Sequence, residues 1–147
     1  MTISVRRATS AETRDLRHAV LRPGRPIGVL DSPVDEIAVT IAAYDDERVV
    51  GCVRIFPDAY HEVSDAWRLG GMAVAPAYQG LGIGRLIEQA AVRDARGLEV
   101  PLLWANARTS ALGFYEKSGW QVVGDEFIHT GSGLPHYVIV LHLDDPD

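Results

Sequence analysis

A glycine-rich run constrains the fold of this chain more than any other sequence feature. Gly80, Gly82 and Gly84 lie between a strand-like apolar segment (67–75) and a segment with apolar side chains at helical spacing (83–97). A strand that turns through glycines into a helix directs backbone N–H groups, and the positive end of the helix dipole, toward one point. The sequence therefore predicts a turn that binds phosphate or pyrophosphate. A tight strand-to-helix turn that binds nothing stays the alternative.

The residues around the glycines argue against two common classes of phosphate-binding protein. A nucleoside-triphosphate loop ends in Gly-Lys-Ser/Thr, whereas Arg85 follows Gly84 here. A dinucleotide-binding fold needs Gly-x-Gly-x-x-Gly after its first strand and an acidic residue about 20 positions later, at the end of the second strand. In this chain the glycines have another spacing and follow four strand-like segments, and Glu99 follows the end of a helix.

Hydrophobic periodicity predicts the element order β-α-(α)-β-β-β-α-β-α-β-β. Hairpins mixed with crossover helices indicate an α/β mixed sheet with helices on its faces. Thr9 and Glu12 match a capping box at the start of the first helix, whose inner face should hold Leu16, Ala19 and Val20. The 147 residues show no shift in composition, so one domain over 1–147 is expected. Strands are predicted at 2–8, 37–44, 48–56, 67–75 (with a bulge at Gly70–Gly71), 102–105, 120–128 and 137–143.

Charge and cysteine content exclude further classes of protein. The chain has 14 basic and 20 acidic residues, a net charge of -6, and no basic cluster that would bind nucleic acid. The single cysteine, Cys52, excludes an internal disulfide and a cysteine-based zinc site, and its apolar neighbours predict burial. The N-terminus lacks the apolar core of a signal peptide, and apolar runs are far shorter than a bilayer span of about 20 residues. A cytoplasmic protein without a metal or a membrane partner is expected.

Two motifs in order resemble those of the GNAT N-acetyltransferases, which bind acetyl-coenzyme A (acetyl-CoA). Gln79-Gly80-Leu81-Gly82-Ile83-Gly84 resembles the signature Gln/Arg-x-x-Gly-x-Gly/Ala, and 69–74 is similar to the family's fourth strand. Asn106-Ala107 and 111–120 resemble the segment Asn-x(n)-Ala-x-x-Phe-Tyr-Glu-Lys-x-Gly-Phe. The resemblance covers about 2–143 in element order. It implies the acyl-CoA N-acyltransferase fold, with a mostly antiparallel sheet splayed between its fourth and fifth strands.

The resemblance also implies how the coenzyme is held. The pantetheine arm would pair with the backbone of 72–74 and contact Asn106 and Phe114. The pyrophosphate would be held by 79–84 together with Arg85. Residue by residue, the implied contacts are Met72, Ala73, Val74, Gln79, Gly80, Leu81, Gly82, Ile83, Gly84, Arg85, Asn106, Phe114 and Tyr115.

Acetyl transfer needs a neutral amine, a donor to the oxyanion and a proton for the leaving thiolate. The resemblance places the Tyr115 hydroxyl near the thioester sulfur as the acid, and the backbone N–H of Val74 or Met72 as the oxyanion donor. For the general base, Glu126 and His136 are the preferred candidates, with deprotonation through ordered water as the alternative. Arg22 could bind a carboxylate of the acceptor, whereas the acidic excess outside the glycine turn favours a cationic amine.

The expected function is therefore acetyl-CoA-dependent transfer of an acetyl group to a primary amine of a small molecule, amino acid or peptide. The amine would attack directly in a ternary complex. The alternative is a non-catalytic acyl-CoA-binding sensor module, which has no need of an acid such as Tyr115 at the sulfur. Family members often form homodimers, although no sequence feature identifies an interface.

Overall fold

Seven strands and three α-helices make up the part of the chain that this computed structural model describes, residues 1–21, 23–24 and 37–143. None of these helices is long and apolar enough to cross a membrane. The strands are β1 (Ile3–Ala8), β2 (Val39–Asp45), β3 (Arg48–Pro57), β4 (Trp67–Val74), β5 (Leu102–Arg108), β6 (Gln121–Ile128) and β7 (Pro135–His142). The helices are α1 (Ser10–Leu21), α2 (Ile83–Gly97) and α3 (Leu112–Glu116).

The strands form one sheet in the order β1-β2-β3-β4-β5-β7-β6. Every neighbouring pair is antiparallel except β4 and β5, which run parallel. The parallel pairing is confined to Trp67 opposite Leu103 and Arg68 opposite Trp104. Beyond these residues the two strands separate, which confirms the predicted mixed sheet and its splayed fourth and fifth strands.

Helices cover both faces of the sheet because the central strands alternate apolar side chains between the two faces. On one face Val53 of β3 packs with Ile83 and Ile87 of α2. On the other face Cys52 packs in a second cluster with Leu16 of α1. Cys52 is buried as predicted, and burial raises the pKa of its thiol to about 11. A thiol of this kind packs as a small apolar side chain and is a poor nucleophile.

Helix α1 begins as predicted, and Leu16 and Val20 pack against the second cluster as predicted, but the third predicted residue does not. The Thr9 N–H donates to Glu12 Oε1 at 3.0 Å and the Glu12 N–H donates to Thr9 Oγ1 at 3.1 Å, which is the capping box. Ala19, predicted on the inner face, is exposed, whereas Arg17 is buried. Burial of Arg17 is tolerated because its guanidinium donates to the Ser10 carbonyl at 2.9 Å and to a neighbouring hydroxyl. Apolar periodicity does not reveal such local acceptors.

Two strands near the C-terminus are longer than the apolar pattern predicts. Strand β5 continues to Arg108 and β7 begins at Pro135, because the two pair from Leu102 opposite His142 to Arg108 opposite His136. A proline has no N–H to donate to a neighbouring strand, but at the first position of a strand this costs the sheet little hydrogen bonding. The longer β7 places His136 inside the sheet, beside the separation of β4 from β5.

Candidate active site

The separation of β4 from β5 opens a cavity of about 420 Å³ in the middle of the sheet. Residues 69–74 of β4 line one wall and residues 105–108 of β5 line the opposite wall. Tyr115 of α3 and His136 of β7 also line it. Of the coenzyme contacts implied by the sequence, Met72, Ala73, Val74, Gln79, Asn106 and Tyr115 belong to the lining.

A bulge in β4 contributes to the separation. The register against β3 changes from Cys52 opposite Ala73 to Arg54 opposite Gly70, so β4 carries an extra residue there. Gly71 lies in this stretch at φ 69°, a conformation that side-chain-bearing residues rarely adopt. The bulge predicted at Gly70–Gly71 is therefore confirmed, and it bends β4 where the strand leaves β5.

The bend leaves one row of backbone groups of β4 without a partner strand. The Ala75 N–H donates to the Val50 carbonyl of β3 at 2.9 Å. Because successive N–H groups of a strand point to opposite sides, the Val74 N–H faces the cavity. The Val74 carbonyl accepts a hydrogen bond from Gln79 Nε2 at 3.0 Å, which fixes the start of the glycine turn. The Val74 N–H is thus placed to donate to a group bound in the cavity.

The glycine turn opens α2 in the geometry that the sequence predicts. Gly80 and Gly82 have φ values of 79° and 83°, and Gly82 is the N-terminal cap residue of this 15-residue helix. The first N–H groups of a helix have no intrahelical acceptor, and at α2 no side chain caps them. A Cβ atom at either glycine would have no heavy atom within 4 Å, which leaves open space over those N–H groups. An anionic group fits there.

Arg85 in the first turn of α2 contacts other protein groups. Its Nη2 donates to the Phe114 carbonyl at 3.1 Å, and its guanidinium lies 4.6 Å from the centroid of the Phe114 ring. Its Nη1 is 3.9 Å from Glu88 Oε1. Arg85 therefore ties α3 to α2, and its implied contact with pyrophosphate stays a prediction.

Tyr115 is held between two aromatic neighbours and presents a hydroxyl that makes no hydrogen bond within the described residues. The residue is 7% exposed, and its ring packs edge-on against Phe114 and Trp120 at centroid distances of 5.0 and 5.6 Å. Burial, and then the nearby Glu88 carboxylate, raise the pKa of Tyr115 to about 12. The hydroxyl is therefore protonated at neutral pH and is available as a proton donor.

A buried carboxylate on α2 organises this neighbourhood. Glu88 is 1% exposed and accepts hydrogen bonds from Ser118 Oγ at 3.0 Å and Trp120 Nε1 at 3.2 Å. Both donors follow α3, so Glu88 joins the two helices around Tyr115. The sequence pattern does not reveal this role, because Glu88 lies in an amphipathic helix, where an acidic side chain normally faces water.

We expect Glu88→Ala to lower the free energy of unfolding by about 3 kcal/mol, because it leaves the buried Trp120 Nε1–H and the half-buried Ser118 hydroxyl without their acceptor. Urea unfolding followed by circular dichroism measures this loss. Asp94→Ala on the same helix is the control, since Asp94 forms a surface ion pair with Arg7 (2.9 Å) and its removal should cost less than about 1 kcal/mol. Equal losses for the two variants would contradict the proposed role of Glu88.

Two histidines lie together at the cavity, with ring centroids 4.7 Å apart. His136 is 6% exposed, and its Nδ1 lies 2.8 Å from the Leu134 carbonyl oxygen. A carbonyl can only accept, so Nδ1 carries a proton and Nε2 of the neutral ring keeps a free lone pair. In His129, by contrast, Nδ1 accepts from the Gly131 N–H at 3.1 Å. His136 is therefore the ring whose Nε2 can take up a proton.

Of two further residues singled out in the sequence, Glu126 does not line the cavity and Arg22 cannot be placed. Glu126 is exposed on β6, accepts a hydrogen bond from Thr109 Oγ1 at 2.7 Å and is not part of the cavity lining. A bulged register between Val123 and Phe127 accompanies this placement. Arg22 lies outside the described residues. The roles of both in the reaction stay predictions.

Comparisons with known proteins agree with this geometry. A family model described as an acetyltransferase (GNAT) domain matches residues 36–122. The Bacillus subtilis protein YitI, described as an uncharacterized N-acetyltransferase, is 26% identical over 135 residues, or 89% of this chain and 91% of YitI. Escherichia coli ElaA has a similar structure, with a TM-score of 0.78 at 16% identity over 95% of this chain and 99% of ElaA. An acyl-CoA N-acyltransferase from Pseudomonas aeruginosa gives a TM-score of 0.77 at 14% identity, with 95% and 99% covered.

Proposed function

Because this chain belongs to the GNAT acetyltransferase family, we propose that it uses acetyl-CoA to acetylate a primary amine of a small molecule, an amino acid or a peptide end. The amine attacks the thioester directly while both substrates are bound. The observation that carries this proposal is the cavity between β4 and β5. It is lined by Val74, whose N–H faces it, by the uncommitted Tyr115 hydroxyl and by His136 with an available Nε2.

The coenzyme fits the described residues in two places. The uncapped first turn of α2 and the open space at Gly80 and Gly82 suit a pyrophosphate, which gains from the N–H groups and the helix dipole. The pantetheine arm contains amides, and the unpaired edge of β4 at 72–74 and Asn106 of β5 offer backbone and side-chain partners for them. Acyl-CoA is the form of cosubstrate typical of the family.

In the proposed reaction a C–N bond forms and the C–S bond of the thioester breaks. Negative charge that develops on the carbonyl oxygen is stabilised by the Val74 N–H. His136 Nε2 accepts the proton that the amine loses, and the Tyr115 hydroxyl donates a proton to the departing sulfur. We place His136 in this role in preference to Glu126, because His136 lines the cavity and Glu126 does not.

A thiol-release assay with acetyl-CoA over a panel of amines tests this function. We expect at least one class of primary amine to raise thiol release well above the rate of hydrolysis, and mass spectrometry to find the acetylated amine. Binding of acetyl-CoA without stimulation by any amine would contradict the enzymatic proposal and leave a coenzyme-binding module.

We expect His136→Gln to lower kcat by about 100-fold while the Kd for acetyl-CoA changes by less than about twofold. The deficit should shrink as the pH rises, because more of the amine is then neutral without help from a base. Initial rates across pH, with calorimetry for the Kd, measure both effects. His142→Gln, an exposed histidine at the end of the same strand, is the control. A similar loss in both variants would remove His136 from the proton transfer.

A further inference from the structure

Arginines give the cavity a charge opposite to that of the whole chain. Arg54, Arg68 and Arg108 line it, and no Asp or Glu of the described residues does. The chain as a whole carries a net charge of -6. A cleft lined by one sign of charge attracts the opposite sign and repels its own. An ammonium group alone is therefore a poor ligand for this cavity.

Arg68 is the lining arginine with the best-defined geometry. Its guanidinium lies between two rings, 4.9 Å from the centroid of Phe56 and 5.0 Å from that of Trp104, both within the range of cation–π contact. Its Nε is 3.5 Å from Asp58 Oδ2. The Trp104 Nε1–H donates to the Asp58 carbonyl at 2.9 Å, which fixes this support. The guanidinium is thus held by two aromatic rings and one carboxylate.

The terminal nitrogens of Arg68 take no part in the contacts that hold its side chain. Neither Nη1 nor Nη2 has a hydrogen-bond partner among residues 1–21, 23–24 and 37–143. Arg68 lines the cavity and its side chain is 35% exposed, so the residue can contact a ligand bound there. Two parallel N–H groups on a planar guanidinium match the two oxygens of a carboxylate.

We infer that the acceptor is a primary amine that also bears a carboxylate, and that Arg68 binds this carboxylate with its terminal nitrogens. The inference rests on the proposed acetyltransferase function and reverses the expectation of a cationic acceptor drawn from net charge. The acceptor's amine is an ammonium group in solution, and the arginine lining of the cavity repels it. Attraction between the carboxylate and the arginines offsets this repulsion. The same positive lining then favours loss of the ammonium proton, which produces the neutral amine that attacks the thioester.

Matched pairs of acceptors test this inference in the intact chain with acetyl-CoA. Each pair is an amino acid and its carboxamide, so the amine and side chain are kept and only the carboxylate is lost. The amine of the amide loses its proton more easily, so at one pH a larger fraction of the amide is neutral. Faster acetylation of the acid therefore cannot come from a larger supply of neutral amine. We expect the wild-type kcat/KM to be at least about tenfold higher for the acids.

Variants of Arg68 assign the preference to this residue. Arg68→Met keeps an unbranched side chain beside the two rings and removes the charge, so the acid-to-amide ratio of kcat/KM should fall to about one. Arg68→Lys keeps the charge without the planar fork and should give an intermediate ratio. The control is Arg48→Met, an exposed arginine at the start of β3 outside the cavity lining, which should leave the ratio unchanged.

The outcomes separate this inference from the function on which it rests. Amides acetylated as fast as acids by the wild type, or an unchanged ratio in Arg68→Met, would overturn the carboxylate site while leaving the acetyltransferase intact. Failure of every amine, whatever its charge, to raise thiol release would overturn the proposed function and this inference with it. If Arg68→Met does not fold by circular dichroism, the wild-type ratio and Arg68→Lys decide.

Discussion

Replacing Tyr115 with phenylalanine should lower kcat by about 100-fold and change the Kd for acetyl-CoA by less than about twofold. The substitution removes only a hydroxyl that makes no hydrogen bond within the described residues, and it keeps the ring that packs against Phe114 and Trp120. Without the hydroxyl the sulfur must leave as an unprotonated thiolate. Steady-state thiol release and calorimetry measure the two quantities separately.

A second tyrosine provides the control for this loss. Tyr44 is 2% exposed, its hydroxyl donates to Glu12 Oε2 at 3.2 Å, and it is not part of the cavity lining. Tyr44→Phe therefore removes a hydroxyl from a buried ring away from the site and should leave kcat within about twofold of wild type. Full turnover in Tyr115→Phe would remove Tyr115 from the mechanism.

The raised pKa of Tyr115 has a consequence for the pH profile. Because burial and Glu88 raise this pKa to about 12, the hydroxyl stays protonated throughout the usual range of assays. A descending limb of kcat between about pH 8 and pH 10, where an ordinary tyrosine begins to ionise, is therefore not expected from this group. A rising limb from amine deprotonation should continue to the alkaline end of the profile.

The features that sequence predicted best are those encoded by neighbouring residues. The strand-to-helix turn at Gly80–Gly84, the bulge at Gly70–Gly71 and the capping box at Thr9 each depend on a few consecutive residues. These local signals, read with the resemblance to a known family, were sufficient to predict the fold, and they place the glycine turn where we propose that the coenzyme binds. The predicted order of strands and helices holds over the described residues for the same reason, since each element has its own period, whereas the optional second helix lies outside them.

The features that sequence did not predict depend on partners distant in the chain. Glu88 is buried because Ser118 and Trp120, 30 and 32 residues away, donate to it. The cavity is lined by arginines because β3, β4 and β5 bring Arg54, Arg68 and Arg108 to one place, and net charge contains no information about that placement. The arginine lining, on which the proposed acceptor site depends, is therefore visible only in the structure.

Gly82→Glu should weaken acetyl-CoA binding by at least about 100-fold, the largest effect on affinity that we expect from one substitution. Gly82 is the cap residue at the start of α2, at φ 83°, with open space where its side chain would project. A glutamate there would put a negative charge beside the N–H groups that we propose hold the pyrophosphate. It would also repel the phosphates and compete with them for the helix dipole.

Two controls separate this repulsion from backbone strain. Gly82→Ala brings only the cost of a left-handed conformation, about 1–2 kcal/mol of stability, and should bind acetyl-CoA far better than Gly82→Glu. Gly97→Glu adds the same charge at the other end of α2, where a side chain also meets open space, and should leave the Kd nearly unchanged. Calorimetric titration of the three variants decides the matter: if Gly82→Glu binds as tightly as Gly97→Glu, the pyrophosphate does not lie at this turn. Equal weakening in Gly82→Ala and Gly82→Glu would attribute the effect to the shape of the turn and not to its charge.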